Sequence, residues 1–73
     1  MVKLIQRWFA NQGACYYYVN SFLDVQKVIS GAEAIHTVRF ESFNYFRKKE
    51  HAIEAAQLIK QTLMDYQNKL ESE

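Results

Sequence analysis

The side chains able to do covalent chemistry are few in this 73-residue chain: one cysteine, two histidines and eight carboxylates. A nucleophile with a base and an orienting group would have to combine Cys15, one of the histidines and a glutamate. Cys15 follows Gly13-Ala14 and precedes an aromatic run, where a free cysteine usually behaves as a small hydrophobe. The sequence therefore predicts a protein that is not an enzyme.

Metal and cofactor sites find equally little support. His36 and His51 lie 15 residues apart, without further ligand types at helical spacing beyond Glu50 and Glu54. A glycine-rich phosphate loop is absent, since the chain has only two glycines. We predict neither a metal nor a cofactor.

A cluster of three cations, Arg47-Lys48-Lys49, stands where a helix is predicted to begin. Cations are disfavoured at the positive end of a helix dipole, and a bound phosphate or carboxylate would offset this cost. Arg39 and His51 would add charge, and Tyr45 would stack on a base. The hypothesis is an anion or partner-binding site. The alternative is a solvated charged face beside Glu50.

Three consecutive tyrosines, Tyr16, Tyr17 and Tyr18, are the second conspicuous feature. On a strand their rings alternate between faces, so at least one face presents phenols to solvent or a partner. With Trp8 they form a candidate protein interface, because tyrosine and tryptophan are enriched in interface hot spots. The alternative is that these rings simply build the core of a small sheet.

Composition restricts the class of protein. The chain is 49% hydrophobic and 23% charged with a net charge of +1, which excludes a disordered segment and gives no broad basic surface for nucleic acid. No apolar run is long enough to span a membrane, and Gln6 and Arg7 interrupt any signal-peptide core. We expect one domain over residues 1–73, located in the cytoplasm. A core this small often recruits a second copy, so a homo-oligomer is a further expectation.

Periodicity predicts the elements that position these residues. The Tyr16–Val19 run is typical of a strand, and Val25–Ile29 is interpreted as its hairpin partner, although Ser21 and Asp24 have capping-box spacing for a short helix. Alternation over Ile35–Glu41 predicts a third strand. The conformation of residues 1–12 stays open between helix and strand.

From Lys48 onward the apolar spacing predicts a long helix. Its stripe consists of Ala52, Ala56, Ile59, Leu63, Tyr66 and Leu70. The stripe would cover one face of the sheet; the alternative is a short parallel or antiparallel dimer seam, which would leave the sheet uncovered. Glu71, Ser72 and Glu73 put negative charge at the wrong end of the dipole and are expected to fray. The predicted fold class is α+β, a small antiparallel sheet of about three strands packed on one long C-terminal helix.

The order of these motifs resembles a loose group of small phage and prophage proteins. The resemblance rests on Trp8, Gly13, the Tyr16–Val19 run and the segment Asn44–Ala52, which reads NYFRKKEHA. In that group an aromatic hairpin precedes an NYF-x-T-x-E-x-A helix start, usually with glycine at the position of Phe43 and threonine or serine at that of Lys48.

The resemblance implies a viral or mobile-element origin and a role in handling the bacterial host. The resulting hypothesis is a non-catalytic protein that binds and inhibits a host or defence component in the host cytoplasm, as anti-CRISPR-type inhibitors do. The alternative is a nucleotide or nucleic-acid binding module, including a sponge for a signalling nucleotide. A virion accessory is a third hypothesis.

Overall fold

The computed structural model describes residues 7–72 and places two strands in one antiparallel hairpin. Strand β1 spans Cys15–Val19 and strand β2 spans Val25–Ile29, with Tyr17 directly opposite Lys27. Both strands follow the predicted hairpin, because their aromatic and β-branched side chains suit a pleated surface. The alternative helix beginning near Ser21 does not form.

Asn20 organises the turn between the two strands. Its carboxamide oxygen accepts hydrogen bonds from the backbone N–H groups of Phe22 and Asp24, at 2.9 and 3.0 Å. Leu23 has a positive φ of 64° within this turn. Side-chain to backbone bonding of this kind is the usual role of asparagine in turns, as the sequence indicated.

The predicted third strand over Ile35–Glu41 is wrong, because Ala34–Glu41 forms helix α1. His36 is buried and Phe40, four residues later, packs on the core, which is the helical period. Val38, which a strand would place on the same face as Phe40, is exposed. A stretch this short fits both periods, and the tertiary contacts of His36 and Phe40 decide between them.

The sheet therefore has two strands, but the other edge of β1 is not bare. Phe46 forms an isolated bridge with Tyr17, each N–H donating to the other carbonyl at 2.8 Å. Phe46 lies in the connection between α1 and the next helix, outside any strand. The segment around Phe46 thus pairs with β1 where a third strand could have paired, although the predicted third strand was Ile35–Glu41.

Helix α2 spans Lys49–Glu71 and confirms the predicted long C-terminal helix. It packs against both strands and buries Ala52 and Ala56. At about 1.5 Å per residue the helix is about 34 Å long, roughly twice a five-residue strand. The sheet therefore covers only its first turns, and every residue from 57 to 72 is exposed.

The core is built from aromatic rings. Tyr16 is fully buried and stacks on Tyr45 with ring centroids 4.0 Å apart. Phe9 stacks on the other side of the cluster at 5.2 Å from Tyr45, and Phe40 meets both Phe9 and Tyr45 edge-on. Aromatic pairs in these geometries contribute roughly 0.5–1.5 kcal/mol beyond area burial.

The question left open over residues 1–12 is answered only in part. Residues 7–12 lie in neither helix nor strand, and residues 1–6 fall outside the described part of the chain. The expected fraying of the last three residues does not reach Glu71, which belongs to α2; Glu73 is outside the described residues. Within residues 7–72, neither helix is both long and apolar enough to cross a bilayer.

A candidate protein-binding groove

An open apolar groove of about 490 Å³ lies between the hairpin turn, the α1–α2 connection and α2. It continues along α2 into a second depression of about 260 Å³ that shares Leu58 and Ile59. Mostly apolar pockets with few polar groups are the usual form of binding sites. The apolar walls, called the groove below, are formed by Val19, Leu23, Phe43, Phe46, Leu58 and Ile59.

The α1–α2 connection presents Phe43 to the groove through an unusual helix end. The N–H of Phe43 donates to Phe40 O and that of Asn44 to Arg39 O, at 3.1 and 3.0 Å, which is a Schellman motif. The motif needs a left-handed residue at Phe43, whose φ is 62°. Glycine normally stands there, because a side chain in this conformation costs about 1–2 kcal/mol.

Leu23 repeats this feature in the hairpin turn. With φ at 64° it is the second non-glycine residue with a positive φ within residues 7–72, and it also lines the groove. Strained residues of this kind persist only when the surroundings over-determine them, and they cluster at ligand clamps and active sites. Both strained residues of the described chain thus hold apolar side chains at one site.

Asn44 fixes the connection to the sheet. Its carboxamide accepts from Val19 N–H at 2.7 Å and donates to Val19 O at 2.6 Å, so it pairs with the backbone as a strand residue would. Together with the Tyr17–Phe46 bridge, this contact sets the wall that carries Phe43 and Phe46. The NYF motif is therefore a means of attaching the start of α2 to β1.

A second polar cluster joins β1 to α1. Tyr16 Oη lies 2.7 Å from His36 Nδ1 and accepts from Arg39 at 3.0 Å, while His36 Nε2 lies 3.1 Å from Glu33 Oε2. Arg39 donates to the phenol oxygen, and an imidazole with its proton on Nε2 alone would accept from Tyr16 and donate to Glu33. The order of groups is that of a nucleophile, base and orienting acid.

This cluster is positioned for structure rather than for turnover. Tyr16 is 0% exposed, so a substrate in solvent does not meet its hydroxyl. The pKa of the Glu33 carboxyl is lowered below its ordinary value, first by a hydrogen bond from its own backbone and then by the His36 side chain. Within residues 7–72, no three His, Cys, Asp or Glu side chains converge as metal ligands would.

The residues predicted to bind an anion do not form one pocket. Arg47, Lys48, Lys49 and His51 are exposed around the start of α2, where Lys48 is the N-cap without a side-chain hydrogen bond. Tyr45 is instead buried, its hydroxyl accepting from Ala10 N–H at 2.8 Å, so it cannot stack on a base.

Two of the arginines near this site are already engaged with aromatic rings. Arg39 stacks over Tyr18 at 3.8 Å, and Arg47 lies over Trp8 at 5.4 Å. Arg39 is thus directed toward β1 by its bond to Tyr16 and its contact with Tyr18. Arg47 remains exposed despite its contact with Trp8, as do Lys48 and Lys49.

The predicted tyrosine interface is divided by the strand. Tyr16 was predicted to lie in this interface, but it belongs to the core. Its face of β1 is covered by Tyr45 and His36. Tyr17, Tyr18 and Trp8 are half-buried and keep part of each ring accessible. Cys15, expected to behave as a small buried hydrophobe, is exposed at the start of β1.

Sequence reasoning missed the groove, because its walls come from three distant segments. The one signal was Phe43, a bulky residue at a helix C-terminus where glycine is usual, and it is held at positive φ. Comparison with known proteins adds no further guide. No protein-family model matches this chain, and neither characterised proteins nor solved structures give a significant match.

Proposed function

We propose that this protein acts without catalysis, by stoichiometric binding of another protein through the groove. The observation that carries the proposal is the pair of strained apolar residues, Leu23 and Phe43, on the walls of one open apolar groove. The resemblance to small phage proteins supports a bacterial host or defence component as the bound and inhibited partner. With a single cysteine in the whole sequence, the bacterial cytoplasm is the proposed place of action.

The left-handed backbone conformation of Phe43 is better explained by binding of a partner than by a contribution to folding. A glycine at Phe43 would complete the same Schellman motif without the cost of about 1–2 kcal/mol. Phe43 is 70% exposed and the Arg7 guanidinium lies 4.3 Å from its ring centroid, so contacts within the chain recover only part of that cost. An apolar group of a partner that covered the ring would recover roughly 1.5–3 kcal/mol, the value of burying such a side chain.

The test uses a substitution that removes the ring without harming the fold. Phe43→Gly deletes one groove wall at a position where glycine is preferred, so lost binding cannot be assigned to misfolding. Phe22→Ala is the matched control, because Phe22 is 83% exposed and does not line the groove.

The experiment is a capture of partners from bacterial lysate on the immobilised wild type and the two variants, followed by titration of the purified partner. We expect wild type and Phe22→Ala to retain a common partner and Phe43→Gly to lose it. Inhibition of that partner should saturate at one equivalent of the protein. Equal retention by all three proteins contradicts the groove, and inhibition at substoichiometric amounts contradicts binding without turnover.

A nucleotide or nucleic-acid binding function is the second candidate, supported by the exposed Arg47, Lys48 and Lys49 at the start of α2. Such a site would hold phosphate without base stacking by Tyr45. Binding to a single-stranded oligonucleotide should then weaken steeply with salt, by about tenfold for each tripling of salt if three phosphates are neutralised. Charge reversal at Arg47 and Lys49 should abolish it; unchanged affinity rejects this candidate.

A further inference from the structure

The apolar stripe of α2 continues beyond the sheet that it covers. Ala52 and Ala56 are buried against the strands, whereas Leu63, Tyr66 and Leu70 are 53%, 58% and 43% exposed. Together with Ile59 they follow Ala56 at steps of three and four residues, so they lie on the same face of the helix. A face that is core at one end is therefore uncovered for the remaining four turns.

The exposed area is large for a protein of this mass. The accessible surface is 6185 Å², whereas a compact monomer of 8.7 kDa exposes about 4,700 Å². The radius of gyration is 14.7 Å, against about 11 Å for a compact chain of this length. Covering half of this excess on each of two chains would bury about 1,500 Å² in total, within the range of a standard protein interface.

We propose that the second half of α2 pairs with the same segment of a second copy as an antiparallel seam. Four layers form it: Ile59 packs on Leu70 of the partner subunit, Leu63 on Tyr66 of the partner subunit, and the same two pairs recur by symmetry. In this register Ala56 falls level with the far end of the partner's helix. The sheet of each chain thus covers the apolar face of α2 up to Ala56. Beyond that point the helix of the partner subunit covers the same face.

Charge favours this orientation over the parallel one. In the antiparallel seam Lys60 faces Gln67 of the partner subunit, and Thr62 faces Lys69 of the partner subunit, so no like charges meet at its flanks. Glu71 falls level with Leu58 of the partner subunit, about 14 Å along the axis from the exposed Arg47–Lys49 cluster and nearer to it than parallel pairing would bring it. Parallel pairing would instead place two such cationic clusters side by side.

The seam goes beyond the proposed function: it shares Ile59 with the groove, but Leu23 and Phe43 take no part in it. Its first test is the mass of the purified protein by sedimentation equilibrium over a range of concentrations. We expect twice the 8.7 kDa of one chain, and a melting temperature that rises with concentration. A mass of 8.7 kDa with a melting temperature independent of concentration overturns the proposal.

Variants locate the seam. Leu63→Glu places a carboxylate in a central layer and should reduce the mass to that of one chain, while Gln57→Glu, on the polar side of α2, should leave the dimer intact. Leu63 is exposed within one chain, so a monomeric Leu63→Glu protein should keep its helical circular dichroism. A dimer that survives Leu63→Glu lies elsewhere and contradicts the seam.

Orientation is tested by one spin label per chain. In a Cys15→Ser background, a label at Glu50→Cys should give an interlabel distance of about 44 Å, because the two positions lie 29 residues apart along antiparallel helices. A parallel pair would hold them within roughly 20 Å. The short distance rejects the antiparallel register.

Discussion

The carboxamide of Asn44 pairs with both backbone groups of Val19, accepting at 2.7 Å and donating at 2.6 Å. Val19 is 5% exposed, so its N–H and carbonyl would otherwise be buried without partners on this edge. One side chain thereby completes the edge of β1 and holds the connection that carries Phe43.

Asn44→Asp should destabilise the protein by about 1–3 kcal/mol at neutral pH, because it removes the donor to Val19 O and sets an anion against that carbonyl. Urea denaturation measures the loss. Protonation of the introduced carboxyl restores a donor, so the deficit should shrink in acid. Asn11→Asp, at an exposed turn position, is the control; an equal effect there would mean that charge alone is responsible.

Tyr45→Phe should cost about 1–3 kcal/mol although it keeps the ring stack. The hydroxyl is the acceptor for Ala10 N–H, and Ala10 is 2% exposed, so water cannot replace the lost bond. Thermal or chemical denaturation gives the value. Tyr66→Phe, whose ring is 58% exposed on α2, should change stability by less than about 0.5 kcal/mol. Similar losses in both variants would argue against the Ala10 contact.

Phe43→Gly should leave the stability unchanged or raise it by up to about 1 kcal/mol, since relief of the left-handed strain outweighs the entropy of an added glycine. The measurement is the urea midpoint beside that of the wild type. Phe46→Gly, in the same connection but without a positive φ, should instead lose stability. Clear destabilisation by Phe43→Gly would show that the ring is fixed by internal packing, and it would remove the strain argument for the groove.

The Glu33 carboxyl should give a stability contribution that is lost in acid. Its pKa in the folded protein lies below the ordinary value of 4.5, so the folded state favours the carboxylate. The contribution is therefore complete above pH 4.5 and is lost as the pH falls through the folded pKa. Glu33→Gln should be less stable than the wild type only above that range. A difference that persists equally in strong acid, or one matched by Glu54→Gln, contradicts this assignment.

The local elements were accessible from the sequence where one period dominated. The aromatic run and its β-branched partner predict the hairpin, and the long 4,3 spacing after Lys48 predicts α2, because each pattern is sustained long enough to exclude the other. The eight residues of α1 are too few for this. The spacing of His36 and Phe40 fits a helix, whereas the spacing of Val38 and Phe40 fits a strand. The contact of His36 with Tyr16 favours the helix.

The candidate site was largely inaccessible from the sequence. The cations at the start of α2 are exposed, and their predicted role in binding stays a prediction. Tyr45 and Tyr16, which were also assigned to binding, instead form the stacked core. A tyrosine fits a core or a surface equally well until the partner of its hydroxyl is known, and here those partners are Ala10 and His36, which are 35 and 20 residues away.

The sequence by itself determined that this chain has an aromatic hairpin, a long amphipathic helix and few groups for covalent chemistry, since composition and sustained periodicity are local properties. Only the tertiary structure decided that β1 pairs with Phe46 on its second edge and which rings form the core. It also decided that α2 extends beyond the sheet that it covers. These depend on distant segments meeting. The groove exists because Leu23, Phe43 and Leu58 are brought together from a turn, a helix end and a helix, and no local pattern encodes that meeting.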